Sequence, residues 1–260
     1  ELKESGKDVI ALSLGEPDFN TPQFIKDAGK RAIDNNFTHY TPVAGLDDLR
    51  LSISKKFKRD NDLDFTKDQI VVSTGAKQSL ANICLSLLNP EDEVLLPCPY
   101  WVSYSEIIKL AEGVPVEIPS SVANNFKVTA EQIENAITEK TKMFMFSSPC
   151  NPSGSVYTEK ELYDISIVFK KYPNIFIVSD EIYEHINFTN KHFSIGRIES
   201  IKERVITVNG VSKGYAMTGW RVGFIGAPLW IAKACNKIQG QVTSATCAIA
   251  QKATEEAMNA

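Results

Sequence analysis

Lys213 stands in the run "NGVSKGYAMTGWRVGF" (residues 209–224), among small and apolar side chains and eight residues ahead of Arg221. Partial burial disfavours an ammonium ion, so a lysine in such surroundings has a more nucleophilic amine, suited to forming an imine with a carbonyl compound. In "IFIVSDE" (175–181) an apolar run ends on Asp180, which puts a carboxylate where a strand leaves the core. A helix cap or turn is the equal alternative for that aspartate. In "STGAKQSLANI" (73–83) Ser-Thr-Gly precedes an amphipathic stretch, so the amides of Gly75, Ala76 and Lys77 would face an anion with a helix dipole behind them. The spacing of a triphosphate-binding P-loop is missing.

An imine-forming lysine, a carboxylate at a strand end and an anion cradle suit one cofactor, pyridoxal phosphate. It brings an aldehyde, a ring nitrogen kept protonated by a carboxylate, and a phosphate. Trp101, in "CPYWVSY", is placed either to stack on a flat ring or to fill the core. Asn151, in the tight turn "SSPCNPSG", offers an amide donor to a ring oxygen, and Tyr183, three residues beyond Asp180, offers its hydroxyl to the same atom. Arg221 adds a charge-assisted contact to the phosphate or to a substrate carboxylate.

The elements that must position these groups follow from the hydrophobic pattern. From about residue 68 short β-rich runs alternate with amphipathic stretches, the pattern of an α/β domain with a largely parallel sheet. The strand-like runs cover 69–74, 92–97, 114–119, 142–148, 175–181, 204–209 and 221–226, about seven strands in one sheet. Helical stretches fall at 77–88, 101–113, 130–137 and 158–172. In open parallel sheets ligands bind beyond the carboxyl ends of the strands, and residues 73–75, 149–154, Asp180 and Lys213 all follow strands. The first sixty-odd residues read as turns and helices that need another surface to pack on.

Composition narrows the classes of function. The 260 residues are 43% hydrophobic with a formal net charge of −4, which suits a globular protein and gives no reason to expect nucleic acid. Five scattered cysteines without a C-x-x-C pair imply free thiols in a reducing compartment. Three histidines lack metal-ligand spacing, so no metal is expected. No run of eighteen apolar residues occurs and the first ten residues are charged, so a soluble cytoplasmic protein without membrane association is expected.

Taken together, "GEPDFNTP", "YWVSY", "SSPCNPSG", "VSDEIYEH" and "NGVSKGYAMTGWRVGF" resemble the class I aminotransferases of pyridoxal-phosphate fold type I, in particular the bacterial aspartate aminotransferase subgroup. The motifs run in the family's order over essentially the whole chain. The resemblance implies a three-layer αβα large domain with a mainly parallel seven-stranded sheet over residues 22–260, and an N-terminal segment, 1–21, associated with a small domain. It implies that Lys213 is the Schiff-base lysine and proton shuttle, Asp180 the partner of the ring nitrogen, Tyr183 and Asn151 the ligands of the ring oxygen, and Trp101 the stacking residue. The phosphate would be held by Gly75, Ala76 and Lys77, by Arg221, and by Tyr40 from the neighbouring subunit of a homodimer. Gly15 would meet the substrate's α-carboxylate, with Trp101 and Asn151 also reaching the substrate, and Lys77 its distal carboxylate, which favours aspartate and glutamate as amino donors.

Two departures from the family pattern bear on function. Gly210 stands three residues before the lysine, where many relatives have a phosphate-binding hydroxyl, so that contact is unassigned. The small domain, with its arginine for the α-carboxylate, is expected to lie beyond Ala260. Alternatives within the fold are transamination of other amino acids and lyase chemistry; an alternative of another class is a non-catalytic module.

Overall fold

The structure, a computed structural model, describes residues 2–10, 15–188 and 192–260. Seven short strands pair into one sheet: β1 (Ile70–Ser73), β2 (Glu93–Pro97), β3 (Val114–Ile118), β4 (Thr141–Ser147), β5 (Phe176–Asp180), β6 (Val205–Gly210) and β7 (Gly223–Gly226). Their order is β1-β7-β6-β5-β4-β2-β3. All neighbours run parallel except β7, which is antiparallel to both β1 and β6.

Side-chain alternation along the strands divides the core. Val94, Leu96, Met143, Met145 and Val178 face one layer, packed with Leu80, Ile83, Tyr104, Ile108 and Ile231 from the helices α3 (Ala76–Leu87), α4 (Ser103–Leu110) and α7 (Leu229–Val242). Leu95, Phe144, Phe146 and Ile177 face the opposite layer, against Ile133, Leu162, Ile165 and Phe169 from α5 (Ala130–Ala136) and α6 (Glu159–Lys171). Burial on both faces is why these strands read as nearly continuous apolar runs. A third cluster joins Ile70, Val72 and Phe224 of the sheet edge to α1 (Gln23–Asp34), α2 (Asp47–Lys56) and α8 (Ala248–Met258) through Ile25, Leu49, Ile53 and Ala253. The result is the expected three-layer αβα domain.

All seven expected strands are present, and the differences have local causes. The last strand begins at Gly223, not at 221, because Arg221 adopts a left-handed backbone with φ +59°. The helix expected over 101–113 is confined to Ser103–Leu110. In α5 and α6 the starts are sharp because Thr129 and Thr158 accept from the backbone N–H three residues on, while Gln132 and Glu161 reach back.

Part of the expected N-terminal segment, residues 1 and 11–14, lies outside the described residues. The stretch from Gly15 crosses the turn that follows β6: Thr21 Oγ1 donates to the Ala216 carbonyl at 2.6 Å, and Thr218 Oγ1 to Glu16 Oε1 at 3.0 Å.

Candidate active site

Lys213 occupies a tight turn after β6, and two glycines set its depth. An ideal Cβ on Gly210 would stand 3.0 Å from both Gly223 Cα and the Val222 carbonyl oxygen, so β6 and β7 approach too closely there for a side chain. The family's hydroxyl is therefore replaced at Gly210 by close backbone packing. Beyond it the turn closes through Ala216 N–H to the Lys213 carbonyl at 3.2 Å and Met217 N–H to the Ser212 carbonyl at 3.1 Å. The Lys213 amine donates to the Gly15 carbonyl and lies 5.6 Å from the centre of the Tyr183 ring. Burial lowers its pKa, the nearby Arg221 charge lowers it further, and Glu16 opposes them without prevailing.

Asp180, the last residue of β5, is buried at 3% exposure. Desolvation pushes its carboxyl up to about 6, against hydrogen bonds that favour the ionised form. Those come from Tyr104 Oη to Oδ2 at 2.7 Å and from the Ile182 N–H to Oδ1 at 3.2 Å. Tyr104 is the Asp180 partner that sequence reasoning missed: it lies within the quoted "YWVSY", but on the apolar face of α4 it reads as a core aromatic. Beside it, Asn151 Nδ2 donates to Tyr183 Oη at 3.3 Å. The Tyr183 phenol is raised by burial and by the Asp180 charge.

At the other end of the site Gly75 caps α3 with φ +85° and ψ +158°, a conformation essentially reserved for glycine. A Cβ there would collide with the Arg221 guanidinium, whose Cζ would be 3.0 Å away. Gly75 thus brings the arginine onto the helix start, where Arg221 is oriented by a 2.8 Å donation from Nη1 to the Thr218 carbonyl. Of the three amides singled out, Gly75 N–H is engaged with the Ser73 carbonyl at 2.8 Å. Those of Ala76 and Lys77 begin the helix, where backbone donors lack intrahelical acceptors.

Trp101 packs edge-on against Tyr104 with ring centres 5.7 Å apart, and the Lys77 ammonium lies 4.8 Å from a Trp101 ring centre. Lys213, Gly15 and Tyr183 are thus brought together, as are Asp180 and Tyr104, Asn151 and Tyr183, Gly75 and Arg221, and Lys77 and Trp101. Tyr40 is not drawn in: it stands fully exposed on the loop between α1 and α2.

Half-buried Lys213, buried Asp180 and the Arg221-backed start of α3 all lie at strand ends of a mostly parallel αβα domain, the arrangement of a ligand-binding α/β fold. The sequence profile described as aminotransferase class I and II matches residues 7–260, and the chain belongs to that family. It is 48% identical to the aspartate/prephenate aminotransferase of Nitrosomonas europaea over 260 residues, covering 99% of this chain and 66% of the relative. It is 47% identical to the probable aspartate/prephenate aminotransferase of Rickettsia felis, covering 100% of this chain and 64% of the relative. Among solved structures, it is similar to the aspartate aminotransferase of Rhizobium meliloti with a TM-score of 0.96 and 42% identity, over 100% of this chain and 65% of that one. The Thermus thermophilus aspartate aminotransferase with maleate gives a TM-score of 0.95 and 41% identity, over 99% and 66%. The chain therefore spans slightly less than two thirds of these proteins' length.

Proposed function

We propose that this chain carries the cofactor-binding and proton-transfer groups of a pyridoxal-phosphate-dependent aminotransferase, which moves an amino group between a dicarboxylic amino acid, aspartate or glutamate, and a 2-oxo acid. The carrying observation is the approach of the pKa-lowered Lys213 amine to the Tyr183 ring, itself paired with Asn151, with buried Asp180 ending the strand that leads to Tyr183.

The donor set fits the cofactor. Asp180 is a buried acceptor for a protonated ring nitrogen, Tyr183 and Asn151 converge on a place for a ring oxygen, and Trp101 offers a flat face. The Ala76 and Lys77 amides with Arg221 suit a phosphate, and Gly75 leaves the room that a Cβ would fill. When bound, pyridoxal phosphate supplies an aldehyde and an electron sink for the carbon that loses its proton. Lys213 Nζ, its charge disfavoured by burial and Arg221, would take the proton from the substrate's α-carbon and shuttle it to a second carbon across the site. Asp180 holds the proton on the ring nitrogen, and Tyr104 holds Asp180. Tyr183 and Asn151 orient the ring oxygen.

Lys77, beside Trp101 at the mouth of α3, supports recognition of a second carboxylate. The dicarboxylate maleate, named with the Thermus thermophilus structure, supports the same assignment. The names of the Nitrosomonas europaea and Rickettsia felis relatives support aspartate as donor and make prephenate an acceptor to assay. Full exposure of Tyr40 supports its action on a neighbouring subunit's phosphate site in a homodimer. Among the described residues no helix is long and apolar enough to cross a membrane, and the five cysteines are free, which supports a cytoplasmic protein.

The decisive test is borohydride reduction in the presence of pyridoxal phosphate, followed by peptide mapping. A phosphopyridoxyl adduct on Lys213 is expected; its absence, or labelling spread over surface lysines, would sink the assignment.

A further inference from the structure

Behind the site lies a cluster of buried charge that none of the assigned roles uses. Glu181, next to Asp180, is fully buried, and its Oε1 accepts from Ser179 Oγ at 2.9 Å and Ser194 Oγ at 2.7 Å. Its Oε2 contacts His192 Nε2 at 2.8 Å and accepts from Asn61 Nδ2 at 3.2 Å. One turn on, Glu184 pairs with the buried Lys56 ammonium and accepts from Asn61 Nδ2 at 2.6 Å. Both carboxylates hang from the turn over residues 181–186, which carries Tyr183. The cluster also touches the lysine turn: a Cβ on Gly214 would stand 2.9 Å from the His185 ring, whose Nε2 lies 3.3 Å from Glu184 Oε1.

Glu181, Glu184 and His192 offer atoms within 4.8 Å of one another, a spacing a cation would accept. The Lys56 ammonium already occupies that role against Glu184, which leaves a charge-balancing cluster and not a metal site. Around it stand Lys56 from α2, and Arg59 and Asp60 from the π-type turn that follows, with Asp60 paired to Arg59 at 2.7 Å and 3.7 Å from Lys56. Glu181, Glu184 and rim-lying His185 face it from the Tyr183 turn, His192 from the next segment, and Tyr215 from the lysine turn. Setting His185 aside at the solvent edge, Lys56 and Arg59 answer two of the three carboxylates. Among the described residues, His192 is the group left to answer Glu181.

We propose that His192 is a positioning residue for the cofactor ring: as the part-buried, ionisable partner of Glu181, it holds the start of the Tyr183 turn and tunes the electrostatic potential at Asp180 and Tyr183. Desolvation lowers the imidazole pKa, but the charge and hydrogen bond of Glu181 prevail and leave it above the usual histidine value. The Glu181 charge is also among the influences that raise Asp180, so the cluster and the site are electrically linked.

The inference rests on the cofactor reading, and its test separates the two. The visible absorption of bound pyridoxal phosphate is titrated with pH in the wild-type protein, Glu181→Gln, His192→Gln and the double variant. Removing the Glu181 charge should lower the midpoint by on the order of half a pH unit, removing the His192 charge should raise it by a similar amount, and the double variant should return near wild type. Shifts of the same sign in both single variants, or none, would overturn the inference, since a merely structural role has no reason to give opposite signs. In the cofactor-free protein the His192 ring is followed by NMR, where its titration midpoint should fall in Glu181→Gln; an unchanged midpoint would also overturn it. That arm decides the charge pairing should His192→Gln fail to fold. A wild-type protein with no visible band would count against the cofactor reading alone.

Discussion

Tyr104 Oη donates to Asp180 Oδ2 at 2.7 Å, and both residues are sealed from solvent. The bond favours the ionised carboxylate, the form needed to pair with a protonated ring nitrogen. Tyr104→Phe keeps the ring in the core and removes only the donor, so the Asp180 pKa should rise and the cofactor should bind about tenfold more weakly near neutral pH. Equilibrium dialysis against pyridoxal phosphate measures this. Unchanged affinity would mean that Tyr104 is core packing and no more.

Asp180 also predicts a pH dependence. Its folded pKa of about 6 lies above the ordinary 3.8, so the cofactor-free native state binds this proton more tightly than the unfolded chain does. Its contribution to stability is therefore greatest below the ordinary carboxylate value and is lost as pH rises towards 6. Cofactor binding has the opposite demand, because it needs the charge. Affinity should climb through pH 6 and then level, and Asp180→Asn should abolish the step and weaken binding above pH 6. A flat profile in the wild type would remove Asp180 from its role.

The strands and the residues at their ends were legible because apolar β-rich runs stop at turn-forming residues such as the Ser-Thr-Gly at 73–75 and the Pro-Cys-Asn-Pro at 149–152. The direction of β7 was not, since the twelve residues between Gly210 and Gly223 reverse the chain without a helix. Helices α7 and α8 gave no motif to notice, although α8 covers the sheet edge with α1 and α2. The Lys56–Glu184 pair was invisible because 128 residues separate its members, and a lysine mid-sequence ordinarily signals a solvated surface. Chemistry-bearing residues at strand ends are locally encoded; the charges behind them are paired only by the fold.

Gly75 gives a test that separates backbone strain from site geometry. Gly75→Ala must adopt φ +85° and displace the Arg221 guanidinium, whereas Gly154→Ala meets φ +71° with nothing within 4 Å of the new methyl. Each should lose stability on the order of 1–3 kcal/mol from strain. Only Gly75→Ala should also lose affinity for the cofactor's phosphate, read by comparing pyridoxal phosphate with pyridoxal. Equal effects on both ligands would detach Arg221 and the start of α3 from phosphate binding.

Lys77 offers a test of the proposed substrate class. Its ammonium stands at a helix start, where the dipole disfavours a cation, and the Trp101 ring at 4.8 Å offsets that placement. A residue serving stability alone would be poorly chosen there, which points to a negatively charged visitor. Lys77→Met keeps the stem against Trp101 and removes the charge. In the full-length enzyme kcat/KM for aspartate should fall about 10- to 100-fold, the cost of a charge-assisted contact, while an aromatic amino donor without a second carboxylate changes little. The melting temperature should hold or rise slightly as the unfavourable cation is removed. Equal losses with both donors would end the dicarboxylate assignment and leave Lys77 as part of the phosphate cradle.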